Sequence, residues 1–417
     1  MSTDKPKLSL AQRFKRMGPA AIITSAFIGP GTVVTASVSG ASFGYSLLWV
    51  VLLAGIALMI LMEMSSRIGI AGKSNMIEAA ISVFPNSKAW SYFVKILIGL
   101  ATLAICFAFE AGNIAGASAG LADISGMSPK VAAIITAAIA IVTVFLSSYT
   151  ALSRLMQFFV SAMGIIFVLC AVAVLPNLGQ LSQGLFIPSM PEGSVINALA
   201  LVGTTLIGIN LVLHSITSQE KWAADKDSKQ AISDARFDII FNIAVGMIIS
   251  MSIIIVAAAV LFGTGANVNN ALVFTKSLEP VLGSWARIVG DIGLFAAGLS
   301  SAIAVPFTMR AILSKIFKWE KGIASVPARI LGTIIVLLGL AFAFFSISPI
   351  QIIIFAQATS GFLLPFIAVL LLVAANSKAM GEFKNKAWQN IAGILATTLA
   401  FILGFWGLYN VVMRLLG

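Results

Sequence analysis

Glu110 and His214 are the side chains of this chain best placed to carry a proton through apolar surroundings. Glu110 lies among Phe107, Phe109 and Ala111 with no basic residue in helical reach. An acid inside a membrane-length apolar run points to an ion or proton pathway, and a structural hydrogen bond to another helix is the competing reading. His214 is the only histidine and falls one helical turn beyond Asn210. An imidazole can change charge near neutral pH, but a single satisfied buried hydrogen bond explains such a residue equally well.

The second chemical feature lies in the backbone. Two distant apolar segments are interrupted by glycine at the same relative place: Gly29-Pro30-Gly31-Thr32 and Gly203-Thr204-Thr205-Leu206-Ile207-Gly208. A membrane helix satisfies its own N–H and C=O groups, so a break at bilayer depth is tolerated only where the freed groups meet protein, water or a ligand. Paired breaks of this kind mark a transporter's binding site. Gly31 and Gly208 are expected to supply the non-helical torsions.

The elements that must position these groups follow from composition. Apolar residues make up 59% of the 417 residues and charged residues only 10%, with a mean hydropathy of +1.03. A soluble globule carries about 25% charge, so the chain is read as an all-α polytopic membrane protein. Stretches able to cross about 30 Å of hydrocarbon fall at 19–40, 45–66, 92–120, 131–149, 152–176, 195–216, 237–262, 284–312, 328–346, 350–375 and 388–413. These are spans 1 to 11, with breaks in spans 1 and 6.

The net charge of +11 could suggest nucleic acid, but its placement does not. With the N-terminus in the cytoplasm, every Lys and Arg falls inside except Lys130, Lys276, Arg287 and Arg414. The positive-inside rule accounts for the charge, and the odd number of spans puts the C-terminus outside. A bacterial-type inner or plasma membrane is the expected location. The basic segment before span 1 resembles a signal n-region, but the helix after it is too long for one and no cleavage is expected.

Spans 1 to 5 (about 19–176) and 6 to 10 (about 195–375) are equal in number and, because five is odd, run oppositely through the membrane. The arrangement expected is a five-plus-five inverted repeat within one transmembrane domain, with 388–413 as an added helix.

Other features are structural or absent. Trp49, Trp285 and Trp388 open spans and read as interface anchors. Cys106 and Cys170 have no partners at metal spacing and read as free thiols. Glu63 and Arg67 form an i,i+4 pair, Asp123 is expected to be solvated in an outer loop, and Asp291 is expected to pair with Arg287. No glycine cluster precedes Lys-Ser/Thr as in a phosphate loop, so neither ATP nor another cofactor is expected. One histidine and few buried acids cannot assemble a hydrolase or transferase site.

Several runs resemble the NRAMP (natural-resistance-associated macrophage protein) metal transporters. These are Gly18-Pro19-Ala20 through Gly29-Pro30-Gly31-Thr32, Gly44-Tyr45-Ser46-Leu47-Leu48-Trp49, and Arg67-Ile68-Gly69-Ile70-Ala71-Gly72-Lys73. Glu110 and Asn113 before Gly116, Leu211-Val212-Leu213-His214-Ser215, Leu294 through Ser301, and Gln357 with Leu364-Pro365-Phe366 extend the likeness to roughly residues 10–375. The resemblance implies the fold of the bacterial leucine transporter. It also implies a proton route through Glu110, Asn113 and His214, and a substrate site at Gly29, Gly31, Thr32, Thr204, Thr205, Ile207, Gly208 and Gln357.

Three departures bear on the substrate. Where that family has Asp-Pro-Gly-Asn, this chain has Gly29 and Thr32 at the acid and amide positions, and the family's Met-Pro-His is Ile207-Gly208-Ile209. Without the thioether and the carboxylate, Mn2+ and Fe2+ lose their preferred ligands. A bare divalent ion among neutral oxygens is costly to bury, whereas Mg2+, which keeps several waters, accepts hydroxyl and carbonyl oxygens. A small carboxylate or amino acid is the alternative, since a helix N-terminus beside unwound backbone favours an anion. An ion channel is a third reading. The identity of the metal, if any, and the oligomeric state stay open.

Overall fold

The computed structural model describes residues 9–146, 149–265, 278–345 and 349–416; Lys5, Lys7 and Lys276, assigned sides by charge above, lie outside them. Helices occupy each predicted span position, with no strand among the described residues. Seven helices are individually long and apolar enough to cross a bilayer, and an eighth crossing is the bent pair Pro19–Phe27 and Pro30–Phe43. Shorter apolar helical stretches at Pro129–Val144, Thr359–Ala375 and Ala387–Ile402 fill the places of spans 4, 10 and 11. Span 3 is longer than its apolar core and runs Lys88–Ser125.

Local sequence explains where most helices begin. The hydroxyls of Ser87, Ser128 and Ser325 accept from backbone N–H groups of the first turns of spans 3, 4 and 9, and Asp227 does so for span 7. Such caps satisfy donors that a helix start leaves free. Span 3 stops at Gly126, whose φ of 70° a side chain would disfavour. Span 1 has no cap of its own at Gly18; Asp238 of span 7 accepts from Gly18 N at 3.2 Å and Ala20 N at 2.9 Å.

Spans 6 and 8 form the centre, burying 72% and 78% of their most apolar windows, against 28% for span 9, which lies at the periphery. Span 3 packs along span 8 through small residues. A β-carbon on Gly298 would stand 2.5 Å from Ala117 N, and one on Gly120 would stand 2.7 Å from Asp291 O. In lipid, such close backbone approach replaces the hydrophobic drive as the source of helix association.

Two expectations about charge are corrected. Asp123 is not in a loop but in the last turn of span 3, and Arg287 pairs with it at 2.7 Å instead of with Asp291. Arg287 is long and largely exposed, so its guanidinium stays hydrated while reaching across to span 3. Asp291 is short and is fully buried where spans 3 and 8 are in contact. The Glu63–Arg67 pair is present at 2.9 Å. Glu63 also takes Arg236 of span 7 at 2.8 Å and Gln389 of span 11 at 3.1 Å, so it joins three spans. Cys106 and Cys170 are buried free thiols.

Candidate functional site

The breaks in spans 1 and 6 share their geometry. In span 1 the helix stops at Phe27, Ile28 has φ −86° and ψ 81°, Gly29 is extended, and helix resumes at Pro30. In span 6 it stops at Thr205, Leu206 has φ −94° and ψ 79°, Ile207 is extended, and helix resumes at Gly208. Each break is therefore two residues long. The halves of span 1 meet at 57°, whereas those of span 6 remain straight enough to count as one 28-residue crossing.

This corrects the roles expected of two glycines. Gly31 and Gly208 are both helical. Gly208 is instead a packing glycine, because a β-carbon there would lie 2.9 Å from Ile367 Cδ1 and 3.2 Å from Leu364 Cα of span 10. The non-helical torsions fall on Ile28, Gly29, Leu206 and Ile207, all with negative φ.

Hydroxyls donate to several carbonyl groups near the breaks. Ser301 of span 8 donates to Ser25 O at 3.0 Å and to Ile28 O at 3.3 Å. Thr32 donates to Phe27 O, and Thr204 and Thr205 donate to Leu201 O at 2.9 and 3.0 Å. A hydroxyl that donates keeps its oxygen lone pairs, so Thr32, Thr204 and Thr205 remain usable as neutral ligands. Gln357 Nε2 donates to Thr35 Oγ1 at 2.8 Å, which leaves its amide oxygen as an acceptor and ties span 10 to span 1. Ser301 is the residue that sequence reasoning missed: a serine pair in an apolar span was the only signal, and its partners lie 276 and 273 positions away.

The proton-route candidates Glu110, Asn113 and His214, and Asn210 one turn before His214, share one property: all are buried and each has a side-chain nitrogen or oxygen without a hydrogen-bond partner among the described residues. Buried polar atoms are nearly always paired, so each of these groups calls for a partner such as water, an ion or a proton. Asn113 faces the break, with Oδ1 3.1 Å from where a β-carbon on Gly29 would lie. Glu110 is turned away from it, with Cγ 2.9 Å from the corresponding point on Gly339 of span 9. Glu110 is thus beside the break and not in it.

Asn210 and His214 are one turn apart on the second half of span 6. Asn210 borders a void of ≈ 10 Å³ with Ala26, Cys106, Phe109, Ile207 and Thr308. That space holds at most about one water. Among the described residues no three His, Cys, Asp or Glu side chains gather as a metal site. The side chains at the break are neutral, as Gly29, Thr32 and Ile207 required.

The fold and the paired breaks are those of a polytopic transporter. The sequence profile of the family described as natural resistance-associated macrophage protein-like (Nramp) matches residues 20–410, and the chain belongs to that family. Among its relatives is the divalent metal cation transporter MntH of Chromohalobacter salexigens, 28% identical over 94% of this chain and 90% of the relative. The MntH of Caldanaerobacter subterraneus is 26% identical over 95% and 93%. The solved manganese transporter of Eremococcus coleocola superposes with a TM-score of 0.81 at 18% identity, covering 97% of this chain and 88% of that one. MhsT, solved with L-phenylalanine, gives 0.64 at 17% identity, covering 97% and 99%. These likenesses establish a shared fold.

Proposed function

We propose that this protein is a proton-linked secondary transporter carrying a partly hydrated divalent cation through the gap between spans 1, 6 and 10. The observation that carries the reading is the neutral break: Gly29, Thr32 and Ile207 stand where a carboxylate, an amide and a thioether would hold a soft ion. Hydroxyl and carbonyl oxygens suit a hard ion that keeps some of its water, with Mg2+ the type case. Mn2+ and Fe2+ are disfavoured. The relatives' names as divalent metal cation transporters support a cation over an organic solute.

The matching two-residue breaks support an inverted repeat of residues about 19–176 and 195–375, with 388–413 appended. In this reading the site lies at the repeat interface and opens alternately to each side. Glu110, Asn113 and His214 form the proton route, with the N-terminus in the cytoplasm and the C-terminus outside. A second reading, symport of a small carboxylate or amino acid, is favoured by the absence of any anionic ligand at the break and by the fold shared with a protein solved with L-phenylalanine.

Thermal unfolding of the purified protein against Mg2+, Mn2+ and a panel of small organic acids separates the two, because a ligand bound only by the native state raises apparent stability. Stabilisation by Mg2+ is expected. Stabilisation by a carboxylate with none by any metal replaces the first reading with the second.

A further inference from the structure

A groove of ≈ 730 Å³ opens on the side of the bundle between spans 2, 7 and 11. Its walls are apolar toward the middle of the helices, with Ile56, Met59 and Ile60 on span 2 and Ile240 on span 7. Ile56 and Ile240 are 44% and 57% exposed. Its mouth is basic, with Lys229 and Arg236 near the start of the span 7 helix, which runs Ser228–Leu261, and Lys384 and Lys386 in the connection leading into span 11. Trp388, exposed beside the mouth, has the amphipathic character of an interface residue.

The charges at the mouth do not cancel. Five bases line the groove against Glu63 and Glu382, leaving it three charges positive. Glu63 is already shared by Arg67 and Arg236. Glu382 meets Lys229 only at 3.8 Å, with both side chains exposed, and a pair of that kind holds weakly. Lys384 and Lys386 have no carboxylate partner among the described residues. All these bases lie on the side assigned to the cytoplasm, where anionic lipid headgroups attract clustered Lys and Arg.

We propose that this groove binds an anionic phospholipid. The phosphate sits among Lys229, Lys384 and Lys386, and an acyl chain lies along Ile56, Met59 and Ile240. The basic mouth above an apolar wall matches the order of polarity along a phospholipid, while a soluble anion would leave that wall in contact with nothing it prefers. Glu63 lies in the same groove and joins spans 2, 7 and 11 through Arg67, Arg236 and Gln389. A lipid seated there bridges the same three spans. The proposal does not depend on which substrate crosses the membrane.

The test is thermal unfolding of the full-length protein in a zwitterionic detergent, titrated with phosphatidylglycerol, phosphatidylcholine or inorganic phosphate at fixed ionic strength. Phosphatidylglycerol is expected to raise the midpoint saturably, and the other two are not. The combined variant Lys229→Gln, Lys384→Gln, Lys386→Gln should weaken the lipid by about a hundredfold, roughly fivefold per lysine. Ile56→Trp, which fills the apolar wall and leaves the charges in place, should also weaken it. Lys88→Gln with Lys321→Gln, two exposed bases outside the groove, should leave it unchanged. The proposal is overturned if phosphatidylcholine or phosphate matches phosphatidylglycerol, if the triple variant or Ile56→Trp retains full affinity, or if the control pair loses as much as the triple variant.

Discussion

Gly29 and Ser301 are so close that a β-carbon on Gly29 would stand 2.8 Å from the Ser301 hydroxyl. The space beside Gly29 is therefore not empty. It is closed by a serine whose hydroxyl satisfies the carbonyls of Ser25 and Ile28.

The first prediction follows from that contact. Proteoliposomes should show no saturable Mn2+ uptake at micromolar concentration. Restoring Gly29→Asp, Thr32→Asn and Ile207→Met together should not create tight Mn2+ binding, because the new aspartate meets Ser301. Gly29→Asp alone should cost about 1–3 kcal/mol of stability, as overpacking usually does, and Ser301→Gly should recover part of it. Calorimetry with Mn2+ on the triple and quadruple variants checks this, and tight binding by the triple variant would show that span 8 yields easily.

The second concerns Glu110. Glu110→Gln keeps shape and removes ionisation, so the dependence of uptake on pH should disappear while substrate binding is largely retained. His214→Gln should give the weaker effect if His214 only relays. A pH profile unchanged in Glu110→Gln would return this residue to a structural role beside Gly339.

Asp238 offers a third. It accepts from two N–H groups at the start of span 1 and holds Asn242 at 2.8 Å. Asp238→Ala leaves two buried donors unpaired at a cost of about 1–3 kcal/mol each, and Asp238→Asn should cost less because one acceptor oxygen remains. Thermal midpoints of the two variants should rank in that order.

The fourth separates two glycines that look alike in sequence. Gly208→Leu drives a side chain into Ile367 and the backbone at Leu364, so it should lower stability and abolish transport. Gly31 is helical and only half-buried, so Gly31→Leu should express and insert normally yet lose substrate binding. Full activity of Gly31→Leu would place the site elsewhere.

Much of the architecture was legible in the chain because a bilayer imposes simple rules. Length and hydropathy located the crossings, and glycine clusters in spans 1 and 6 located the breaks to within about two residues. Those signals are local and hold whatever the neighbours are. What only the tertiary structure decided lies between residues far apart in sequence. Asp238 caps span 1 across 220 and 218 positions, Ser301 closes the break across 273 and 276, and Arg287 chooses Asp123 over nearby Asp291. A side chain's partner depends on which faces meet when helices pack, and hydropathy is blind to that. The neutral character of the break could be read from Gly29, Thr32 and Ile207 alone, whereas the packing of Ser301 against it became visible only once spans 1 and 8 were in contact.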